Sequence, residues 1–425
     1  MEEFDADLHI HSHHSIGVSK NMTVPNLVEG ARQKGLSILG TGDVTQPGWL
    51  GHLRNTLKER DETLIHDDIA FVLSVEIEDV EAIHHLVFLP GFESVVALKE
   101  SLREYSSNLD HQWGGRPRVN IRGEQLAGFV RDVGGLIGPA HAFTPFRSIF
   151  REGRYEDLVG CYGSEVDSVK FIELGLSADS KMADCIPSLR ELTFLTCSDA
   201  HSPSPAKLGR EFVRFRIERR NFPEIRLAIL REKGRAPVLN VGLNPRLGKY
   251  YLSFCSACRR TIILEPGDSS PSFDDLNIYI SFSDAKERQS ILRAIHDRAV
   301  FCPHDGKTLR LGVRDRAVMI GGGDESKPLH RPPYIHIPPL LELITSALGV
   351  SSPSSKKART LYERLRESLG PETTILTSTP IDSLHELDSA VAGMISAFRE
   401  GSVNYIPGGG GRYGRLIPPW KNDSQ

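Results

Sequence analysis

A chain of 425 residues, 39% hydrophobic and 25% charged, has room for two or three domains with cores of their own, which excludes a small disulfide-stapled scaffold and a disordered chain. No apolar run approaches the roughly 20 residues that cross a bilayer, and the start Met1-Glu2-Glu3-Phe4-Asp5 is acidic where a secretory signal would be basic, so a cytoplasmic protein without a membrane partner is expected. The net charge of −4 hides segregation: residues 1–235 carry 28 Lys and Arg against 35 Asp and Glu, residues 236–425 carry 23 against 20.

The first half alternates β-rich runs with amphipathic segments, the pattern of βα units around a parallel sheet. Strands are predicted at 4–10, 37–41, 70–77, 84–89, 136–139, 169–174, 192–197 and 211–217. A helix over 25–34 is opened by Thr23 and Pro25 and closed by Gly35, and another covers 94–105. About seven such units predict an α/β barrel. Residues 207–235 are locally basic, as a nucleic-acid surface or as a solvated helix face.

Beyond residue 235 the pattern changes. Short strands and turns surround a C-x-x-C pair over 238–311, with a helix near 285–298, then a Gly- and Pro-rich linker from Gly321 to Pro333. Helices are predicted at 338–349, 356–369 and 381–399, and residues 407–415 form a glycine loop. The domains expected are therefore 1–235, 236–325 and 326–425.

Histidines and carboxylates recur at the C-terminal ends of the predicted strands, the rim where α/β barrels build active sites. Strand alternation puts Asp7, His9 and His11 on one face, so two imidazoles can grip one cation. Other ends carry Asp43, Glu76 and Glu78, His141, and Asp199 with His201, while His84 and His85 open the fourth strand. Mixed imidazole and carboxylate ligation suits Zn, Mn or Fe, and neighbouring sets can hold two or three ions that clamp a phosphate and activate water.

These motifs resemble the polymerase-and-histidinol-phosphatase (PHP) superfamily, which implies a distorted seven-stranded barrel with up to three metals. On that resemblance His9, His11, Glu76, His141, Asp199 and His201 are metal ligands, Asp43 is a further one, and Asp43, Asp199 and His201 are catalytic. Val44 stands where many relatives carry the His of an Asp-His pair, which leaves His14 or His85 to complete the set; His85 is the expected ligand.

A narrower resemblance spans nearly the whole chain. The strings DLHIHSHHS (7–15), GTGD (40–43), GPAHAFTPF (138–146), ELGLSADS (173–180), SDAHSP (198–203) and RPPYIHIPPL (331–340) are similar to the endonuclease Q family. This implies a PHP barrel, a small zinc-binding α+β domain and a helical C-terminal region. It also implies nicking of DNA on the 5′ side of uracil, hypoxanthine, xanthine and abasic sites. The partners implied are double- and single-stranded DNA carrying such lesions. A sliding clamp is a further candidate, although no clear clamp-binding peptide is found, and a monomer is expected.

The cofactors expected are two or three divalent ions (Zn, Mn or Mg) in the barrel and one structural Zn. For the latter, Cys255, Cys258 and Cys302 are followed by Asp305 where the family pattern has a fourth cysteine. Three thiolates with Asp305 or His304 can close a tetrahedral site, and a zinc-free domain is the alternative. Phe143, Phe146, Tyr334 and Tyr413 are candidate stacking partners for an extruded base. The competing function is a small-molecule phosphoesterase, which would not need nearly two hundred residues beyond the barrel.

Overall fold

The computed structural model describes residues 1–323 and 326–417. The chain opens with β1 (Glu2–Asp7), α1 (Val24–Lys34), β2 (Ile38–Gly40), α2 (Pro47–Thr56), β3 (Lys58–Arg60), β4 (Thr63–His66), β5 (Ile69–Glu78) and β6 (His84–Leu89). It continues through α3 (Phe92–Leu102), α4 (Gly123–Asp132), β7 (Leu136–Pro139), α5 (Val159–Tyr162), β8 (Phe171–Glu173), α6 (Ser180–Asp184) and β9 (Thr193–Leu195). β10 (Phe212–Ile217), α7 (Phe222–Leu230) and β11 (Ala236–Gly242) follow. α1 ends where Gly35 turns left-handed at φ 99°, the predicted stop.

The result is a mixed α/β fold. β10, β1, β2 and β5 are consecutive in one sheet, β6 pairs with β5 and β7 with β6, while β8 and β9 form a separate parallel pair. A bridge from Ile10 to Ala200 joins the chain leaving β1 to the chain leaving β9. One buried cluster gathers Leu8, just past β1, with Val72, Phe88, Phe171, Leu195 and Val213 from β5, β6, β8, β9 and β10, so the main sheet and the β8–β9 pair share one core.

The all-parallel pattern does not hold. β5–β6 and β6–β7 are antiparallel, because residues 79–83 make a connection too short for a parallel crossover. The first residues of β6 therefore lie on the same rim as the last residues of β5.

The expected boundary at 235 falls just before β11, which pairs with β10 in the main sheet, and β17 (Tyr334–His336) pairs with β11. The chain thus leaves that sheet after Gly242 and returns at Tyr334. The other expected boundary, 325/326, touches residues outside those described. Between lie β12 (Phe254–Cys255), β13 (Thr261–Pro266), β14 (Ser272–Phe273), β15 (Asn277–Phe282), α8 (Ala285–His296), β16 (Leu309–Arg310) and α9 (Val313–Gly321). These five strands form one sheet around Ile262, Ile278, Leu292 and Leu309.

The helical C-terminal region comprises α10 (Leu340–Ala347), α11 (Lys356–Leu369), α12 (Glu372–Thr377), α13 (Ile381–His385) and α14 (Ser389–Glu400). The single helix predicted at 381–399 is two, because Asp388 adopts an extended backbone and caps α14 by accepting from Val391 N. α12 was not anticipated. The glycine loop lies between β18 (Asn404–Ile406) and β19 (Arg415–Ile417) and is fastened to the second sheet, with Arg259 donating to the Gly410 carbonyl at 3.0 Å.

The helical region is joined to α1 by a buried pair. Lys34 Nζ lies 2.6 Å from Glu372 Oε1, and both side chains are 1% exposed. Glu372 also accepts from Leu340 N and from the Tyr362 hydroxyl.

Candidate metal centre

The residues after β1 alternate, so His9 and His11 face the rim together. Each ring is held from behind by a carboxylate: His9 Nδ1 donates to Glu173 Oε2 at 2.8 Å and His11 Nδ1 to Asp43 Oδ1 at 2.9 Å. This fixes the tautomer that presents both Nε2 atoms to the cavity, the arrangement that orients metal-binding histidines. Asp199 Oδ1 lies 3.8 Å from His9 Nε2 and 3.1 Å from His11 Nε2. His9 Nε2 and Asp199 Oδ1 are buried with no hydrogen-bond partner among the described residues, a costly state unless a cation satisfies them.

Glu76, at the end of β5, joins this set to a second one. Its Oε1 lies 2.7 Å from His84 Nδ1 and 2.8 Å from His141 Nε2, and its Oε2 is 3.4 Å from His11 Nε2. The donor atoms of His9, His11 and Asp199 all lie within 4.8 Å of one another, as do those of Glu76, His84 and His141. Three rim residues, Asp43, His141 and Asp199, sit in the left-handed region at φ 49°, 31° and 49°, the kind of backbone strain that collects at functional sites.

The electrostatics favour positive charge. Burial would lower the His9 pKa, but Glu173, Glu76 and Asp199 raise it to about 9. Burial would raise Glu76, yet His84 and the Arg116 guanidinium hold it well below the ordinary range; Asp199 is lowered likewise by His11, His201 and His9. Arg116 reaches in from the loop before α4, against Glu76 Oε2 and 3.1 Å from His11 Nε2. The donor chemistry, the carboxylates backing both imidazoles and the orphaned atoms all fit divalent ions.

Beside this cavity a cleft of about 670 Å³ separates the loops after β5 and β7 from the second sheet. Arg147 and Arg151 line one side, Tyr250, Phe254, Arg259 and Arg310 the other. The Arg259 guanidinium lies 4.6 Å from the Phe254 ring centre and 5.7 Å from that of Tyr250.

A family model described as the MJ0043 C-terminal domain matches residues 339–402, the span of α10 to α14. Over its whole length the chain is similar to the crystal structure of the lesion-specific endonuclease PfuEndoQ from Pyrococcus furiosus, with a TM-score of 0.86, 38% identity, and coverage of 100% of this chain and 98% of that one. This chain belongs to the endonuclease Q family. A second endonuclease Q structure, a complex with a 27-mer duplex carrying an abasic lesion at the active site, gives 0.82 at 38% identity, covering 100% of this chain and 99% of that one. Bacillus subtilis YqxK is 30% identical over 440 residues, covering 98% of this chain and 100% of that one. Methanocaldococcus jannaschii MJ0043 is 35% identical over 314 residues, which cover 71% of this chain, and the match spans only 35% of that relative.

Against the endonuclease Q expectations, several residues fall elsewhere. His85 pairs with Ile77 on the opposite face of β6, where it receives the Tyr162 hydroxyl at 2.8 Å, meets Asp79 at 3.2 Å and forms with Asp79 and Cys161 a separate donor group; His84, paired with Glu78, takes the place at the rim. His14 contacts the Gln112 carbonyl, away from both sets. Asp43 stands behind His11 with both oxygens occupied, Oδ2 accepting from Ser12 N, Ser12 Oγ and Ser15 Oγ, so it orients the ring and does not face the cavity. Glu173, which backs His9, was missed, although it falls within the sixth predicted strand near its end, as the candidate residues of other strands do. His201 is half-exposed at the rim, 3.5 Å from Asp199 Oδ1.

In the second sheet the donor atoms of Cys255, Cys258, Cys302 and Asp305 lie within 4.8 Å of one another, whereas His304 packs against Phe273. Asp305 has its pKa lowered to about 2, backbone and cysteine hydrogen bonds outweighing desolvation. Of the four aromatic candidates, Phe143 and Tyr334 are held in the protein while Phe146 and Tyr413 are exposed. Much of the basic stretch is engaged locally, Arg214 with Asp5 and Arg235 with Glu224, so the cleft draws its cations from elsewhere.

Proposed function

We propose that this protein is a metal-dependent endodeoxyribonuclease of DNA repair, hydrolysing the phosphodiester on the 5′ side of deaminated bases (uracil, hypoxanthine, xanthine) and of abasic sites. The observation that carries this reading is the adjacency of two donor sets, with orphaned His9 Nε2 and Asp199 Oδ1, to a cleft walled by arginines and aromatic rings. His9, His11 and Asp199 would hold one divalent ion and Glu76, His84 and His141 a second, with His201 at the edge of the first. Such ions supply Lewis acidity and an activated water.

The chain's own residues do the rest. Glu173 and Asp43 keep the imidazoles in one tautomer. Arg116, permanently charged and in contact with Glu76, is placed to meet phosphate oxygens entering the cavity. Tyr250 and Phe254 offer faces for an extruded base, and Arg259 stacked on them holds the neighbouring phosphate. One zinc at Cys255, Cys258, Cys302 and Asp305 would stiffen the wall that carries Tyr250 and Phe254. A small-molecule phosphoesterase would have no use for that wall.

The experiment is incubation with end-labelled duplexes carrying uracil, hypoxanthine, an abasic site or no lesion, with Mn, Mg or Zn. Metal-dependent cutting confined to the 5′ side of the lesion is expected. Hydrolysis of a simple phosphomonoester with no nicking of any duplex would overturn the reading.

A further inference from the structure

Phe146 is 68% exposed, whereas most of the described aromatic rings are buried or half-buried. A lone exposed apolar residue is ordinary on a soluble protein. This one is set apart by where it stands and by how firmly it is held.

The ring stands on the wall common to two cavities, the one lined by His84, His141 and Asp199 and the arginine-rich cleft. The loop that carries it is braced at several points. Thr144 Oγ1 donates to the Phe146 carbonyl at 2.7 Å and Ser148 Oγ to the Thr144 carbonyl at 2.5 Å. His84 N donates to the Arg147 carbonyl at 2.9 Å, and the Arg147 guanidinium meets Glu78 at 3.0 Å. Arg147 itself takes a left-handed backbone at φ 62°. Thr144 Oγ1 also lies 3.2 Å from His141 Nδ1, so the loop is tied directly to the donor set.

A residue that merely walls a pocket is covered by its neighbours, as Phe143 and Phe150 are, buried with ring centres 5.1 Å apart. Phe146 instead projects outward and meets Tyr250 only edge-on, at 6.2 Å and 85°. It offers an open face on the cleft wall, where Arg147, paired with Glu78, and Arg151, donating to the Ala82 and Glu81 carbonyls, add positive charge beside it.

We propose that Phe146 is a wedge: its ring enters the base stack at the lesion, fills the gap left by the extruded nucleotide and stacks against the unpaired base of the opposite strand. The inference rests on the lesion-nuclease reading above and adds to it the group that opens the duplex. Apolar side chains inserted between base steps act in this way in other DNA-bending proteins, and an aromatic face is a platform that accepts any base.

The test compares wild type, Phe146→Ala and Phe146→Trp on one uracil presented in a paired duplex, in an unpaired bubble and in a single strand. For the Ala variant, the ratio of kcat/KM on duplex to that on single strand should fall by about tenfold or more, the free energy of one lost base stack. The bubble should recover most of the loss, and Trp should restore the ratio. A second measurement does not depend on cutting. With a non-cleavable linkage on the 5′ side of the lesion and the metals left in place, 2-aminopurine placed opposite the lesion should change fluorescence on binding wild type and not on binding the Ala variant. Equal loss on all three substrates would make the ring a pocket wall, and an unchanged ratio with an unchanged 2-aminopurine response would leave it no role; either result overturns the wedge. If wild type cuts none of the three, the nuclease reading fails by itself, and the 2-aminopurine response still decides whether the ring inserts.

Discussion

Glu173 Oε2 sits 2.8 Å from His9 Nδ1 and 2.9 Å from the backbone nitrogen of His141, so one carboxylate oxygen fixes a member of each donor set. Replacing Glu173 with Gln keeps the shape and removes the charge, and its amide nitrogen can donate where only an acceptor serves. Metal affinity should fall by about 10- to 100-fold, as when other hydrogen-bond partners of ligating histidines are removed. Competition with a chromophoric chelator reads this directly; an affinity within twofold of wild type would be counter to the assigned role.

Asp199→Asn and His201→Ala should both abolish lesion nicking while leaving the fold intact, since neither side chain packs in the core. For Asp199 the loss should be about a thousandfold or more, the scale expected when one charge-stabilising group is removed from an active site. Circular dichroism checks the fold and single-turnover assays the rate. Near-normal turnover in a folded variant would remove the residue from the site.

If the cluster holds zinc as proposed, Cys255→Ser with Cys258→Ser should reduce the zinc count by one and lower the melting temperature, because metal binding is coupled to folding. Asp305→Cys should tighten the same site by completing four thiolates. Elemental analysis and thermal denaturation check both. An unchanged zinc count in the double variant would mean that this cluster holds no zinc.

A pH effect is expected from Glu211, whose Oε1 accepts from Leu243 N while Oε2 has no hydrogen-bond partner among the described residues. Burial raises its pKa from 4.5 to about 8. The native state therefore holds the proton more tightly than the unfolded chain, and the associated stability is full below about 4.5 and lost as pH rises to about 8. Glu211→Gln should match wild type near pH 5 and exceed it above pH 8 by a few kcal/mol, since each tenfold difference in proton affinity between the two states is worth about 1.4 kcal/mol. Parallel urea unfolding at those two pH values would expose the error if the difference between the proteins did not grow.

Much of this was legible in the sequence. The eight main strands of the first half fall within a few residues of their predicted places, because apolar runs and turn residues bound them locally. The grouping of Cys255, Cys258 and Cys302 was legible from the C-x-x-C pair and the third cysteine, while Asp305 came from the family pattern, with His304 open as the alternative. What failed depends on direction and distance. Choosing between His84 and His85 requires knowing that β6 runs antiparallel to β5, a fact set by the 79–83 turn. Asp43 has the chemistry of a ligand, and only the hydroxyls of Ser12 and Ser15 around it reveal that its oxygens are taken. The break before α14 was readable in principle, since Asp388 followed by Ser389 is a capping signal, but the apolar period running across it concealed the stop.

The Lys34–Glu372 pair binds the chain's history as well as its domains. The two residues are 338 positions apart, yet neither can change alone: loss of either one strands a charge in a dry interior, at a cost of about 3–5 kcal/mol. Only a concerted exchange, both to apolar residues or both reversed in sign, passes without that penalty. Across descendants of this sequence the two positions should therefore be inherited as one character, so that a recombination event separating the first α/β unit from the helical region would have to carry matching partners or fail to fold.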